Sequence, residues 1–180
     1  LINFIEDEIA SKDPVKVYFV PHGVEFMMLE FDFYEIDQWE GRDCIYAYVN
    51  NEEIDLNVYN QGVDEGLKRN TTENGIYWES RSTGPETQIG FNPYNDQIHH
   101  ITAYIPKYIV AAGLLQLRLT TRIDDVDTNE SSGFDNIKIT AHKDCGPCIP
   151  DYMIVFEDFE DESIDGWTRG RLDFDMGFTT

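Results

Sequence analysis

The chain has 180 residues, of which 35 are acidic and 13 basic, so its formal net charge is −22. A charge of this size repels phosphate backbones and anionic lipid, which argues against nucleic acids and membrane surfaces as partners. Hydrophobic residues make up 41% of the chain and aromatic residues 13%, enough for a packed core rather than disorder. No apolar run reaches the roughly 18 residues that a membrane span needs, and the length fits one domain.

Apolar and polar residues alternate at period two along most of the chain, and helical periodicity is absent, which predicts β-strands. The alternating apolar residues are, in chain order, Met27, Leu29, Phe31, Phe33, Ile45, Ala47, Val49, Ile101, Ala103, Ile105, Leu115, Leu117, Leu119, Ile137 and Ile139. Turn residues such as Glu73-Asn74-Gly75 separate these stretches. Many short strands with one apolar face each predict an all-β fold, a two-sheet antiparallel jelly-roll β-sandwich.

The strand pattern divides the chain into three parts. A β-sandwich body covers residues 1–141, where the last alternating stretch stops. Residues 142–151 contain Gly, two cysteines and two prolines, a composition typical of a linker. Residues 152–180, called the tail below, hold a further apolar strand segment beginning near Ile154. We expect the tail to complete a sandwich, either its own or that of a neighbouring copy.

Three cysteines, Cys44, Cys145 and Cys148, are the disulfide candidates, and their odd number leaves one thiol free or paired with another chain. The run from Cys145 to Cys148 spells the redox dithiol of thioredoxins. That chemistry needs a helix after the motif to lower a thiol pKa, whereas Ile149-Pro150 follows here. A structural thiol pair or linker disulfide is therefore favoured over redox catalysis.

Two sequons, Asn70-Thr71-Thr72 and Asn129-Glu130-Ser131, lie in polar stretches where turns are expected. We expect glycans on Asn70 and Asn129 if the chain is secreted. Together with the acidic, well-solvated composition, they favour an extracellular or cell-surface location.

Two segments resemble the ends of one known fold. The tail sequence Phe159-Glu160-Asp161 followed by Asp165-Gly166-Trp167 resembles the opening strand of galactose-binding-like jelly rolls. Those include carbohydrate-binding modules and other domains of extracellular tandem-repeat proteins. The sequence Gly133-Phe134-Asp135-Asn136-Ile137 is similar to their closing strand. The resemblance implies the fold more strongly than the function, because one fold hosts many functions.

The order of the two segments departs from that family, because the opening-strand pattern comes last. Either the fold is circularly permuted, or the tail supplies the first strand of the next copy. We favour donation to a neighbour, since an exposed sheet edge readily accepts a strand from another chain. The function expected is then a structural subunit of an extracellular filament, in which copies of the chain join head to tail. A carbohydrate-binding jelly-roll module of a multidomain secreted protein is the alternative.

In the family resembled, a structural calcium ion often joins the opening and closing strands. The resemblance carries this role to Asp135 and Glu160, with Asp158 as a neighbouring candidate. Calcium takes several oxygen ligands, which carboxylates from distant segments can supply together. The alternative is that these acids are simply solvated. The run Asp124–Asp127, and Asp37 with Asp43, are weaker candidates.

Aromatic residues are the candidates for sugar binding, since Trp39, Trp78 and Tyr94 could stack on a glycan. The alternative places the tryptophans in the core, as is common in a sandwich of this size. No nucleophile elbow, phosphate-binding loop or metallohydrolase spacing occurs in the sequence. We therefore expect no catalytic residue and no enzymatic activity.

Overall fold

The computed structural model describes residues 2–3, 13–60, 66–83, 88–90, 93–123, 130–143, 152–157 and 168–169. Within these ranges the chain forms twelve β-strands and no helix. The strands are β1 (Ile2–Asn3), β2 (Pro14–Phe19), β3 (Phe26–Asp37), β4 (Cys44–Val49), β5 (Glu52–Val58), β6 (Leu67–Thr71), β7 (Tyr77–Ser82), β8 (Gln97–Pro106), β9 (Leu114–Arg122), β10 (Glu130–His142), β11 (Tyr152–Glu157) and β12 (Thr168–Arg169).

The strands form two antiparallel sheets. The larger has seven strands, in the order β1-β10-β3-β8-β7-β6, with β11 also paired to β10. The smaller has five, in the order β12-β2-β9-β4-β5. Residues of both sheets share one hydrophobic core, so the predicted all-β, two-sheet sandwich is confirmed.

The core confirms the alternation read from the sequence. Met27, Leu29, Phe31 and Phe33 of β3 are each 0% exposed and face the smaller sheet's Leu115, Leu117 and Leu119 within one cluster. The intervening residues of β3 are half-buried on the outer face. Burying a side chain of this size is worth roughly 1.5–3 kcal/mol, so the inward rows hold the two sheets together.

A bulge interrupts the longest strand. The register between β10 and β3 shifts between Asp135 and Lys138, and Asn136 has a positive φ of 52° there. One extra residue on β10 therefore lies opposite β3, as in other β-bulges. Because of the insertion, Phe134 and Ile137 both point into the core although three positions separate them.

No helix among the described residues is both long and apolar enough to cross a membrane.

Candidate functional site

One side of β10 accepts strands from both ends of the sequence. Its first side pairs with β3 from Glu130 to His142. Its second side, called the β10 edge below, pairs with β1 at Gly133 and Phe134, and with β11 from Ile137 to Ala141. Both added strands are antiparallel to β10. Two short segments, distant in sequence, thus share a single strand position.

The tail reaches the second sheet as well. Thr168 and Arg169 of β12 pair with Val15 and Pro14 of β2. This makes β12 the edge strand at one side of the smaller sheet. Residues 152–169 therefore contribute a strand to an edge of each sheet. Such additions are made by main-chain hydrogen bonds and do not require a particular side-chain sequence.

Asp135 and Asn136 lie where the β10 edge passes from β1 to β11. They fall between Phe134, the last residue paired with β1, and Ile137, the first paired with β11. Asp135 is only 5% exposed, and its Oδ1 accepts a hydrogen bond of 2.8 Å from the backbone N of Asn136. Three segments of the chain therefore meet beside one buried carboxylate, which we call the edge junction.

The side chain of Asn136 ties the edge junction to the outer face of the larger sheet. Its Nδ2 donates to Oδ2 of Asp32 at 2.7 Å, while Oδ1 of Asp32 lies 2.8 Å from Nδ1 of His100. Nearby, Lys138 Nζ lies 2.8 Å from Glu30 Oε2. The side chains of Asp32 and Glu30 are 18% and 19% exposed, and each lies beside a donor. The most buried acid of the group is Asp135.

The calcium prediction remains a prediction. Glu160 and Asp158 lie outside the described residues, as do Asp124–Asp127. Glu157, the last residue of β11, lies opposite Ile137, which is two residues from Asp135. Asp158 and Glu160 follow Glu157 directly in the sequence. Within the described ranges, no group of three or more His, Cys, Asp or Glu side chains is arranged to hold a metal ion.

Asp37 and Asp43 are both 0% exposed. Asp43 Oδ2 accepts a hydrogen bond from the backbone N of Glu40 at 2.5 Å and so closes a turn. The carboxylate of Asp37 lies against Gly90, where an added Cβ would be 2.6 Å from its Cγ. Asp43 therefore has a structural role in this turn, while calcium binding by Asp37 and Asp43 stays a prediction.

The tryptophans predicted to stack on sugars are core residues, and this prediction is wrong for both. Trp39 and Trp78 are each 1% exposed, so neither ring offers a face to a ligand. Trp39 instead donates from Nε1 to the carbonyl of Ser131 at 2.8 Å and packs edge-on against Phe33. Tyr94 is half-buried just before β8, and its role in stacking stays a prediction.

Aromatic side chains do form a row elsewhere, across the outer face of the larger sheet. The ring of Tyr104 lies 6.2 Å from that of Phe26 and 5.9 Å from that of Tyr77, measured between centroids. Tyr104 is 39% exposed, and Tyr77 Oη donates to Oε2 of Glu79 at 3.3 Å. This row combines apolar ring faces with hydrogen-bonding groups.

Of the predicted modification sites, Asn70 is exposed on β6, an edge strand of the larger sheet. Glycosylation there is sterically open and stays a prediction, and Asn129 lies outside the described residues. Cys44 is a buried free thiol, while Cys145 and Cys148 lie outside the described residues. A hydrogen bond of 3.3 Å joins Cys44 Sγ to Tyr46 Oη.

Two polar features of the interior, one residue and one pair, were not predicted from the sequence. Asp96 is 0% exposed; its Oδ1 accepts from the backbone N of Asp37 at 2.6 Å, and its Oδ2 accepts from the backbone N of Ile89 and of Gly90. His99 and Glu35 form a buried pair in the core. Continuing the alternation of β3 beyond Phe33 would have placed Glu35 on the inward face, so the signal was present.

No family model, curated protein or solved structure matches this chain.

Proposed function

We propose that this chain is a structural subunit of an extracellular or cell-surface filament, whose copies join head to tail by exchanging their tails. The observation that carries the proposal is the placement of tail strands on an edge of each sheet, β11 on β10 and β12 on β2. One segment that completes both sheets is a natural unit of exchange between identical copies.

Exchange requires no new contacts. A tail that pairs with β10 of its own chain can make the same main-chain bonds with β10 of a neighbour. The choice between the two then depends on the connecting residues 144–151 and on the concentration of the chain, rather than on the pairing itself. A contact between a tail and the next body is heterologous, so it propagates into an open fibre unless the rotation closes a ring.

In this proposal a calcium ion at the edge junction would hold the tail in place. Asp135 lies where β1, β10 and β11 meet, and the residues after Glu157 carry Asp158 and Glu160. An ion held by Asp135 and by the tail would oppose departure of the tail, whichever copy provides it. The carboxylate donors are of the class that calcium prefers.

Cysteine pairing between chains tests the exchange. Lys138 and Phe156 are Cα partners across β10 and β11, so cysteines at these positions are close enough to form a disulfide. Lys138→Cys would be placed in one chain and Phe156→Cys in a second, both carrying Cys145→Ser and Cys148→Ser. The two chains are unfolded, mixed, refolded and oxidised. Exchange predicts disulfide-linked dimers on non-reducing gels.

The matched control carries both cysteines in one chain. Self-closure gives an internal disulfide and a band at monomer size, whereas exchange gives a ladder. If the mixture of single variants yields no dimer while the double variant closes internally, the tail belongs to its own chain and the filament proposal fails. Electron micrographs of the unmodified protein then provide an independent check for fibres.

Carbohydrate binding is the second candidate function, and the aromatic row Phe26, Tyr104 and Tyr77 favours it. Ring faces bordered by carboxylate and hydroxyl groups suit a sugar, whose apolar face stacks and whose hydroxyls form hydrogen bonds. Retention of the chain on polysaccharide columns tests this candidate. Tyr104→Ala should abolish retention if the row binds sugar, while Trp78→Phe should leave it unchanged in folded protein.

A further inference from the structure

Two tyrosine rings lie side by side on the outer face of the larger sheet. Tyr77 on β7 and Tyr104 on β8 are Cα partners in the antiparallel pairing of these strands. Their ring centroids are 5.9 Å apart, and the ring planes are inclined to each other by 40°. Side chains directly opposite one another on a sheet stay within contact distance, so the main-chain pairing itself keeps these two rings together.

The two phenols differ in their surroundings. Tyr104 is 39% exposed, so an oxidant in solution can reach its ring. Tyr77 is half-buried, and its hydroxyl donates to Oε2 of Glu79 at 3.3 Å. The other oxygen of this carboxylate, Oε1, lies 3.2 Å from Nε of Arg81. A proton released by Tyr77 therefore has an acceptor to which the hydroxyl is already hydrogen-bonded.

From this geometry we propose that Tyr77 and Tyr104 are a site of oxidative modification, at which a peroxidase with hydrogen peroxide joins the two side chains into a dityrosine within one chain. The proposal goes beyond the filament function, because it concerns a covalent bond inside a single copy and requires no exchange of tails. It is also independent of whether the aromatic row binds sugar.

The reaction is a two-electron oxidation. Each phenol loses one electron and one proton, and Tyr104 releases its proton to water while Tyr77 passes its proton to Glu79. The two phenoxyl radicals form a carbon–carbon bond between a Cε atom of each ring, and the hydrogen atom on each of these carbons then moves to the phenolic oxygen. Hydrogen peroxide takes up the two electrons and two protons and is reduced to two molecules of water. Like a disulfide, the new bond restricts the unfolded chain and so raises the melting temperature.

A second pair of tyrosine rings, on the outer face of the smaller sheet, provides a contrast. The ring centroids of Tyr46 and Tyr48 are 6.4 Å apart. The guanidinium of Arg118 lies 3.7 Å from the ring centroid of Tyr48, and a nearby positive charge opposes the loss of an electron. The thiol of Cys44 donates to the hydroxyl of Tyr46 at 3.3 Å and is placed to return a hydrogen atom to a phenoxyl radical. Proximity alone is therefore not sufficient, and we expect coupling on the larger sheet.

Oxidation of the full-length chain at low concentration tests the site. The chain is treated with a peroxidase and limiting hydrogen peroxide, and the monomer-sized band of a denaturing gel is examined for dityrosine fluorescence. This band should fluoresce, and its peptide map should contain a pair of peptides joined between positions 77 and 104, lighter by two hydrogen atoms than the separate peptides. Tyr77→Phe and Tyr104→Phe should each lose both signals. Tyr48→Phe is the matched control and should keep them.

Glu79→Gln tests the proton acceptor separately from the proximity of the rings. It keeps both tyrosines and should slow the cross-link, because Tyr77 then has no carboxylate to receive its proton. Circular dichroism before oxidation verifies that each variant is folded. An unchanged rate in Glu79→Gln overturns the role of Glu79.

Two results overturn the cross-link itself. One is fluorescence that persists in the monomer-sized band of Tyr77→Phe, or dityrosine that joins only separate chains. The other is a parent chain that forms no dityrosine under conditions in which free tyrosine couples. The cysteine cross-links between positions 138 and 156 do not involve these tyrosines, so failure here is distinguishable from failure of tail exchange.

Discussion

Nε2 of His99 lies 2.9 Å from Oε2 of Glu35, and both side chains are only 1% exposed. The imidazole is flanked by aromatic rings, with centroids 5.9 Å away for Phe33 and 4.5 Å away for Tyr59. Burying a polar pair of this kind costs free energy. Removing one partner costs more, because the other polar group then stays buried among apolar side chains without a hydrogen-bond partner.

Glu35→Ala should therefore lower the free energy of unfolding by about 3 to 5 kcal/mol, the range expected when one partner of a buried pair is removed. Replacing the two together, Glu35→Leu with His99→Phe, should restore much of that loss, because neither member of the pair is then left buried without the other. Urea denaturation of the two variants and the parent measures both effects. A double variant less stable than Glu35→Ala would contradict this account of the pair.

The hydrogen bond with Cys44, followed by burial, raises the pKa of Tyr46 from 10.0 to about 12. Because the folded state holds the proton more tightly than the unfolded state, the resulting stabilisation is complete below pH 10 and is lost as the pH rises towards 12. Ultraviolet titration of tyrosinate should show a late step that Tyr46→Phe removes. Cys44→Ala should move that step to lower pH.

The control for this titration is Tyr48→Phe. Burial and the hydrogen bond to Glu53 raise the pKa of Tyr48, but its phenol is independent of Cys44. The Tyr46 step should therefore persist in Tyr48→Phe. If Cys44→Ala leaves the step where it was, the thiol is not its main cause.

Calcium binding at the edge junction predicts a response to chelation. Excess chelator should lower the melting temperature of the parent, because an ion bound only by the folded state stabilises that state by mass action. Asp135→Asn should melt at the same temperature with and without chelator. Glu53→Gln, at an exposed carboxylate of the other sheet, should respond like the parent. An unchanged melting curve for the parent would rule out the site.

Trp39→Phe should destabilise the fold without altering any ligand binding. The substitution leaves the buried carbonyl of Ser131 without the indole donor, a loss of about 1 to 3 kcal/mol, and adds the effect of a void beside Phe33. Thermal or urea unfolding measures the loss. If Trp39→Phe instead lost retention on a glycan column while its stability stayed unchanged, Trp39 would belong to a ligand-binding site.

The fold was largely readable from alternation, and the exceptions have physical causes. β3 was evident because its inward row is apolar from Met27 to Phe33. β6 was not, because an edge strand with Arg69 and Asn70 in water needs no apolar face. The tryptophans were misjudged, since amino-acid type alone does not distinguish a stacking ring from a core ring. The buried indole of Trp39 is hydrogen-bonded to the carbonyl of Ser131, which is 92 positions away and which alternation does not reveal.

The candidate site was less predictable than the fold. A strand position shared by β1 and β11 arises from register between distant segments, which alternation does not specify. The pair of Glu35 and His99 was easier to predict from the sequence. Glu35 lies two positions after Phe33, and His99 lies two positions before Ile101, so alternation places both on the inward face. Treating a polar residue in an inward phase as buried and paired would have found it.

The pairing of β3 with β10 also governs how the protein can be made. It joins Phe26 to His142, so the centre of the larger sheet cannot form until the residues up to His142 have left the ribosome. Contacts between such distant residues make folding slow, because a long loop must close before they contribute. Until then β3, the twelve-residue strand Phe26–Asp37, has no partner on its β10 side and can pair with other nascent chains. Yield during expression should therefore depend on synthesis rate and on chaperones more strongly than the stability of the finished sandwich suggests.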